Sequence, residues 1–126
     1  MFTSLEIFRM AFDMATHASA RQSVIARNIA NADTPGYKAR DLPSFAETYD
    51  DFTGELSLRT SRAGHLTSDQ TPAAEIMRDV PSSPNGNSVS IETEMAKATE
   101  AKGRHETALA IYKSALDILR TSIGRG

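Results

Sequence analysis

Two stretches, one at each end of this 126-residue chain, repeat apolar side chains at alternating steps of three and four. One face of an α-helix meets that spacing and a strand does not. In the first, Leu5, Phe8, Phe12, Ala15, Ser19, Gln22, Ala26 and Ile29 fall in line, strong at the ends and weak at Ser19 and Gln22. A row of Ala11, Ala18 and Ile25 runs beside them, and no Pro or Gly interrupts before Ala32. Thr3 suits an N-cap with Glu6 completing a capping box, and Phe2 and Ile7 are placed as a hydrophobic staple. In the second stretch, Met95, Ala98, Lys102, His105, Leu109, Tyr112, Leu116, Leu119 and Ile123 keep the alternation through every step. Ala108, Ile111, Ala115 and Ile118 widen its later half. Helices this long, about 44 Å for 29 residues, suit a bundle or coiled coil better than a small globular domain.

Between them the chain changes character. Thr34-Pro35-Gly36-Tyr37 has type II turn chemistry: Pro35 presets φ at the second position and Gly36 takes the positive φ needed at the third. Pro35 also disfavours helical geometry at Thr34, which predicts a helix over 1–32 and a turn segment over 33–41. Residues 42–90 form an irregular middle. Ser44 to Phe52 fits a short helix with Phe45, Tyr49 and Phe52 on one face, and Leu56 to Thr60 alternates as a short strand would. Asn85-Gly86 signals a tight turn, and the alternation from Ser88 to Ile91 fits a hairpin or a loop equally. Ser90 can N-cap the second long helix, predicted over 91–123, with Glu92 and Glu94 favourably placed at its positive end. Glu100 and Arg104 make a favourable i,i+4 pair, and Gly103 weakens the helix by about 1 kcal/mol relative to Ala.

The expected fold is mainly α: two long terminal amphipathic helices pairing as a coiled-coil-like hairpin around a short irregular or β middle. Large side chains are scarce, with no Trp and 6% aromatics, so a core confined to one chain is thin. A helix pair alone also leaves apolar rows uncovered. The pattern therefore predicts self-association, or partial disorder of the isolated chain.

Charge and chemistry exclude more than they assign. Net charge is −2, with residues 1–41 at +1, 42–90 at −4 and 91–126 at +1, so no field favours nucleic acid or an anionic membrane. No apolar run approaches the roughly 20 residues of a membrane span. The beginning of the chain lacks the basic and apolar regions of a cleaved signal, and there are no cysteines for disulfides or thiolate chemistry. His17, His65 and His105 stand 48 and 40 residues apart without metal-ligand spacing. No nucleophile elbow or phosphate loop occurs, and Glu47, Asp50 and Asp51 read as a solvated face. No catalytic, cofactor or metal site is expected.

Three phrases carry a resemblance. RQSVIARNIANADTPGYKARD (21–41), RTSRAGHLTS (59–68) and GNSVSIETEMAKATE (86–100) are similar to the bacterial flagellar rod and hook proteins, in particular the short proximal-rod members. The brief insert between the helices favours those members over the distal-rod and hook proteins. Ala101, Gly103 and His105 depart from the pattern, where Asn, a larger apolar residue and Tyr are expected.

The resemblance implies a structural subunit of the flagellar basal body, exported by the flagellar type III apparatus without a cleaved signal. It would reside in the rod, in the periplasmic space. Its partners would be other rod subunits, the membrane-ring/rod junction protein and copies of itself. Carried onto this chain, the assembly residues are Leu5, Phe8, Phe12, Ile25 and Ile29 of the first helix and Leu109, Tyr112, Leu116, Leu119 and Ile123 of the second. Asn28, Asn31, Thr34, Pro35, Gly36 and Tyr37 set the exit of the first helix. The alternatives are another short rod protein, or a cytosolic helical hairpin acting as a binding module.

Overall fold

A heptad of small residues decides how the terminal helices meet. The structure, a computed structural model, describes residues 2–54, 75–78 and 80–124. Its elements in chain order are α1 (Phe2–Ala30), β1 (Arg40–Asp41), α2 (Phe45–Gly54), β2 (Ile76–Met77) and α3 (Ile91–Ile123). On α3 the buried residues are Glu94, Ala101, Ala108 and Ala115, each seven after the last. On α1, Ala11, Ala18 and Ile25 repeat the same interval and are also buried. A seven-residue repeat keeps one seam facing its partner over many turns.

The helices run antiparallel. Phe8 meets Tyr112 edge-on with ring centroids 5.1 Å apart. Farther along, Arg21 Nη1 lies 3.4 Å from Glu100, and Asn28 hydrogen-bonds Glu94 at 3.0 Å. The paired long helices match the expected fold, but the seam differs from the expected stripe. The row of small residues beside the stripe forms the interior, while Leu5, Phe12, Leu109 and Ile123 remain exposed. Ser19 and Ala26 are exposed as well, as is Lys102 on α3.

The reason is steric and polar together. Methyl groups let two helix backbones approach closely, whereas facing rows of Phe and Leu hold them apart. Turning the alanines inward also turns His17, Arg21 and Asn28 toward the middle segment, where their polar groups find partners.

The described part of that middle segment lies along one flank of the hairpin. β1 pairs antiparallel with β2, placing Arg40 opposite Met77 and Asp41 opposite Ile76. Neither strand stands where alternation pointed. Leu56–Thr60 lies outside the described residues, and Ser88–Ile91 is no strand, because Ser90 caps α3 and Ile91 begins it. The side chains of Phe2 and Thr3 at the expected first cap are also outside the described part. α2 opens with a capping box legible as Ser-x-x-Glu: Glu47 N–H donates to Ser44 Oγ (3.4 Å) and Ser44 N–H to Glu47 Oε2 (2.9 Å). Its Phe45 packs edge-on to His17, whose Nε2 bonds the Pro43 carbonyl at 2.8 Å.

Among the described residues, the buried apolar side chains are Ala11, Ala18, Val24, Ile25, Ala39, Leu42, Ala101, Ala108 and Ala115. Most are alanines. Each supplies about one methyl's worth of burial, roughly 0.8 kcal/mol, so the hairpin's hydrophobic stabilisation is modest.

A seam of this kind tolerates added volume poorly. Ala108→Leu should cost about 1–3 kcal/mol by overpacking, measured by urea unfolding. Leu109→Ala, next to it but exposed, should change stability by no more than about 0.5 kcal/mol. Equal effects at the two positions would contradict the alanine seam.

Candidate assembly surface and the junction that orients it

The helix pair needs a fixed register, and a run of polar residues after α1 supplies it. α1 ends at Ala30, and Asn31 follows with its N–H on the Arg27 and Asn28 carbonyls. Asn31 Nδ2 donates to the Arg27 carbonyl (2.8 Å) while its Oδ1 accepts from the Thr34 hydroxyl (3.2 Å). Free carbonyls at a helix end need such partners. Thr34–Tyr37 then forms the type II turn: Tyr37 N–H bonds the Thr34 carbonyl at 3.2 Å, and Gly36 sits at φ 74°.

The turn is clasped by the chain just before α3. Gly36 N–H donates to the Asn85 carbonyl, and a Cβ added to Gly86 (φ 83°) would stand 3.3 Å from Gly36 Cα. Asn87 is buried, and its Nδ2 donates to both the Asn31 (2.9 Å) and Thr34 (2.8 Å) carbonyls. Ser88 N–H bonds the Tyr37 carbonyl, and Ser88 Oγ accepts from Ala39 N–H. Asn87 and Ser88 were missed by sequence reasoning. An Asn after Asn-Gly reads as loop, and nothing local says which carbonyls it will reach.

Asn28 is the hub. It is fully buried. Its Nδ2 donates to the Arg40 carbonyl (2.7 Å) and Glu94 Oε2 (3.0 Å); its Oδ1 accepts from Arg40 N–H (3.1 Å) and Tyr37 Oη (3.2 Å). A carboxamide has two donors and an acceptor oxygen with two lone pairs, so its capacity is filled. Glu94, also fully buried, pairs through its other oxygen with Arg78 Nη2. Read from sequence as a favourable charge at the positive end of α3, Glu94 also reaches inward. Burying a carboxylate requires a paired cation and hydrogen bonds, and both are present.

A second ionic group sits one helical turn away. Asp41, 10% exposed in its side chain, accepts from Arg21 Nε (3.1 Å), Lys97 Nζ (2.8 Å) and its neighbour's Leu42 N–H (2.9 Å). Burial pushes its carboxyl pKa upward, but the bonds from Lys97, Arg21 and Leu42 outweigh it and hold the value below 3.8. For Arg21, burial opposes the charged form, and bonds to Asp41 and Glu100 overcome it, raising its pKa. Glu100 also takes Arg104 Nε at 3.3 Å, the i,i+4 pair expected from sequence.

This junction occupies one flank of the hairpin. The other flank carries the apolar stripes. Stepping from the seam in the same sense, Leu5, Phe8, Phe12 and Ile29 of α1 lie on the side of Tyr112, as the Phe8–Tyr112 contact requires. Leu109, Leu116, Leu119 and Ile123 continue that side along α3. Leu5 and Phe12 are each 62% exposed and Ile123 77%, with Leu109, Tyr112 and Ile29 also open; Phe8, Leu116 and Leu119 are half-buried. Ile25 lies in the seam, covered within the chain. Near the chain ends Ile7 and Ile118 open the opposite side too. Of the motif residues, Asn28 is buried, Asn31 and Tyr37 are half-buried, and Thr34, Pro35 and Gly36 are at the surface. No metal-ligating cluster occurs among the described residues, and no described helix is long and apolar enough to cross a membrane.

Two measurements probe the junction. Asn28→Ala strips partners from buried Glu94 and the Arg40 peptide and should cost about 3 kcal/mol in urea unfolding. Asp41 has a folded pKa below its unfolded one, so its stabilisation is complete above the unfolded pKa and is lost as pH falls through the folded value. Asp13, whose carboxyl pKa burial raises despite the opposing charge of Arg9, acts in the opposite sense. The Asp41 share is therefore read as a difference. Wild type should lose stability below about pH 4 more steeply than Asp41→Asn, and parallel pH profiles would contradict the assignment.

The comparisons fit this architecture. The family model for flagella basal body rod proteins matches residues 15–38, the half of α1 that enters the junction together with the turn. The flagellar basal body rod protein FlgB of Cereibacter sphaeroides is 36% identical over 121 residues, covering 87% of this chain and 92% of the relative. FlgB of Salmonella typhimurium is 31% identical over 106 residues (76% and 77%). FlgB of Agrobacterium fabrum is 29% identical over 116 residues, 87% of both chains. Relatedness at this level over most of both sequences leaves one assignment: this chain belongs to the FlgB family of flagellar basal body rod proteins.

Proposed function

We propose that this chain is a structural, non-catalytic subunit of the flagellar basal body rod and assembles through the open flank of its helix pair. The observation that carries the reading is a set of large apolar side chains left uncovered along one flank of a folded hairpin: Leu5, Phe12, Leu109, Tyr112 and Ile123 toward one end and Ile29 toward the other. A core made largely of alanine gives the monomer little reason to carry those side chains. An obligate interface, which resembles a domain core cut in two, does. Clusters of exposed large apolar side chains mark protein contacts on soluble surfaces.

In this reading the junction is the rigid part. It ends α1, sends the backbone out through the turn, and returns it to start α3 with the two open stripes in register. Phe8, Leu116 and Leu119, half-buried in the single chain, complete the contact with neighbours. Ile25 supports it from within the seam. The neighbours are other rod subunits, copies of the chain itself, and the protein joining the rod to the membrane ring. Export through the flagellar type III apparatus without cleavage, followed by residence in the periplasmic rod, completes the proposal. The family relationship supports these steps.

The test separates interface from fold. Leu109→Asp and Ile123→Asp replace exposed side chains, so each purified variant should unfold within about 0.5 kcal/mol of wild type. In cells lacking the native gene both should abolish swimming and be missing from purified basal bodies, while wild type is found there at its uncleaved mass. Normal swimming by both variants would sink the interface assignment.

A further inference from the structure

Gly103 stands near the middle of a 33-residue helix without a structural need for glycine. A Cβ built there meets nothing within 4 Å, and its φ is not positive. Neither close packing nor turn geometry accounts for it. What surrounds it is a change in how the hairpin is held. On one side, the ion pairs that tie α3 to Arg78, Asp41 and Arg21 come from Glu94, Lys97 and Glu100. On the other side, toward Ile123, the helices meet through Ala108, Ala115 and Ala11 and the edge contact of Phe8 with Tyr112.

Threonine back-bonds occur at several levels, Thr99 and Thr121 among them, and two lie near Gly103. Thr107 Oγ1 donates to the Gly103 carbonyl at 2.8 Å. On α1, Thr16 Oγ1 donates to the Phe12 carbonyl at 2.9 Å. The register set by Arg21–Glu100 and Phe8–Tyr112 puts Thr16 across from this part of α3. A hydroxyl bonded back to the carbonyl four residues earlier competes with the helix ladder and bends helices. Glycine in a helix interior loses more backbone freedom on folding than any other residue and so weakens the helix locally. The pairs spanning Gly103, Arg104–Glu100 at 3.3 Å and Lys102–Glu106 at 3.9 Å, are solvent-exposed, so they restrain it weakly.

From this we infer that Gly103 forms a hinge dividing the hairpin into a latched root and a bendable tip. The root comprises the junction and the seam from Ala18 to Ile25 against Glu94 and Ala101. The tip comprises residues 5–15 and 107–123, which present Leu5, Phe12, Leu109 and Ile123. Bending at one level lets the tip adjust its apolar face to a neighbour while the root keeps its register. The use of the hinge in assembly rests on the rod reading; its existence in the isolated chain does not.

The chain contains no cysteine, so spin labels can be placed at will. Glu6→Cys with Lys113→Cys reports on the tip, and Ser23→Cys with Thr99→Cys on the root. Pulsed dipolar distance measurements on the full chain should give a tip distribution about twice as wide as the root's. Gly103→Ala should narrow the tip to the root's width and slow amide exchange over 107–123 about fivefold, the factor expected from helix propensity. Ser114→Ala, which strengthens α3 away from the hinge, should leave the tip width unchanged. Equal widths in wild type, or equal narrowing by Ser114→Ala, would overturn the hinge. In cells, Gly103→Ala should be exported yet enter basal bodies less than wild type; incorporation at the wild-type level would refute a role for bending in assembly. Absence of the wild-type protein from basal bodies would instead refute the rod reading and leave the distance result standing.

Discussion

The buried hydrogen bond between Asn28 and Glu94 fixes the rest of this fold. It joins the last turns of α1 to the first turn of α3, 66 residues apart in sequence, inside a region closed to water. Each partner is expensive to bury alone. Asn28 is made affordable by the Arg40 peptide and Tyr37, and Glu94 by Arg78. A one-residue slip of either helix would leave a buried carboxamide and a buried carboxylate unmatched, which costs far more than any contact in the alanine seam returns. Alanine rows discriminate poorly between registers because every methyl resembles the next. Polar matching at one end therefore supplies the specificity that the seam lacks, the part played by buried polar residues in coiled coils.

Once the register is fixed, the exposed apolar surface follows. Helices that meet through methyl groups turn their larger side chains sideways. One side is occupied by the turn, β1 and the start of α2, tied down through His17, Arg21 and Asn28. Among the described residues, the other leaves Leu5, Phe12 and Leu109 exposed. The asymmetry is a consequence of sequence order. The polar residues His17, Arg21 and Asn28, which bond the described part of the middle segment, sit on the same edge of α1, and that part covers this edge.

This explains which parts of the fold were legible from sequence. The two long helices were, because their periodicity persists over many turns. The type II turn was, because Pro35 and Gly36 have few alternatives. So was the Ser90 cap, by residue type and position. The seam was not, for a specific reason. Periodicity weighs large apolar residues most heavily, so Leu5, Phe8 and Phe12 defined the apparent interior and Ala11 and Ala18 looked like its margin. Deciding between the two rows requires knowing that Asn28 must face Glu94, a long-range pairing with no local signature. The roles of Asn87 and Ser88 were hidden in the same way, as was the burial of Glu94. The β1–β2 pairing, at two residues per strand, is shorter than any alternation can show.

The motif that first suggested the family also takes on a physical meaning. Asn28, Asn31, Thr34, Pro35, Gly36 and Tyr37 divide the work of ending a helix and starting a return. Asn31 and Thr34 close the helix end, Pro35 and Gly36 reverse the chain, and Tyr37 and Asn28 brace the reversal against α3 through Glu94. None of these residues contributes to the open apolar flank. They determine where it lies, because the exit angle of α1 and the entry of α3 set how the two stripes align. Under the proposed mode of assembly, a substitution in the turn would act at a distance, by shifting one stripe against the other, whereas a substitution in the stripe would act by contact. The two kinds of residue can be close neighbours in sequence, as Asn28 and Ile29 are, while doing different physical work: one faces Glu94 in the interior and the other points to solvent.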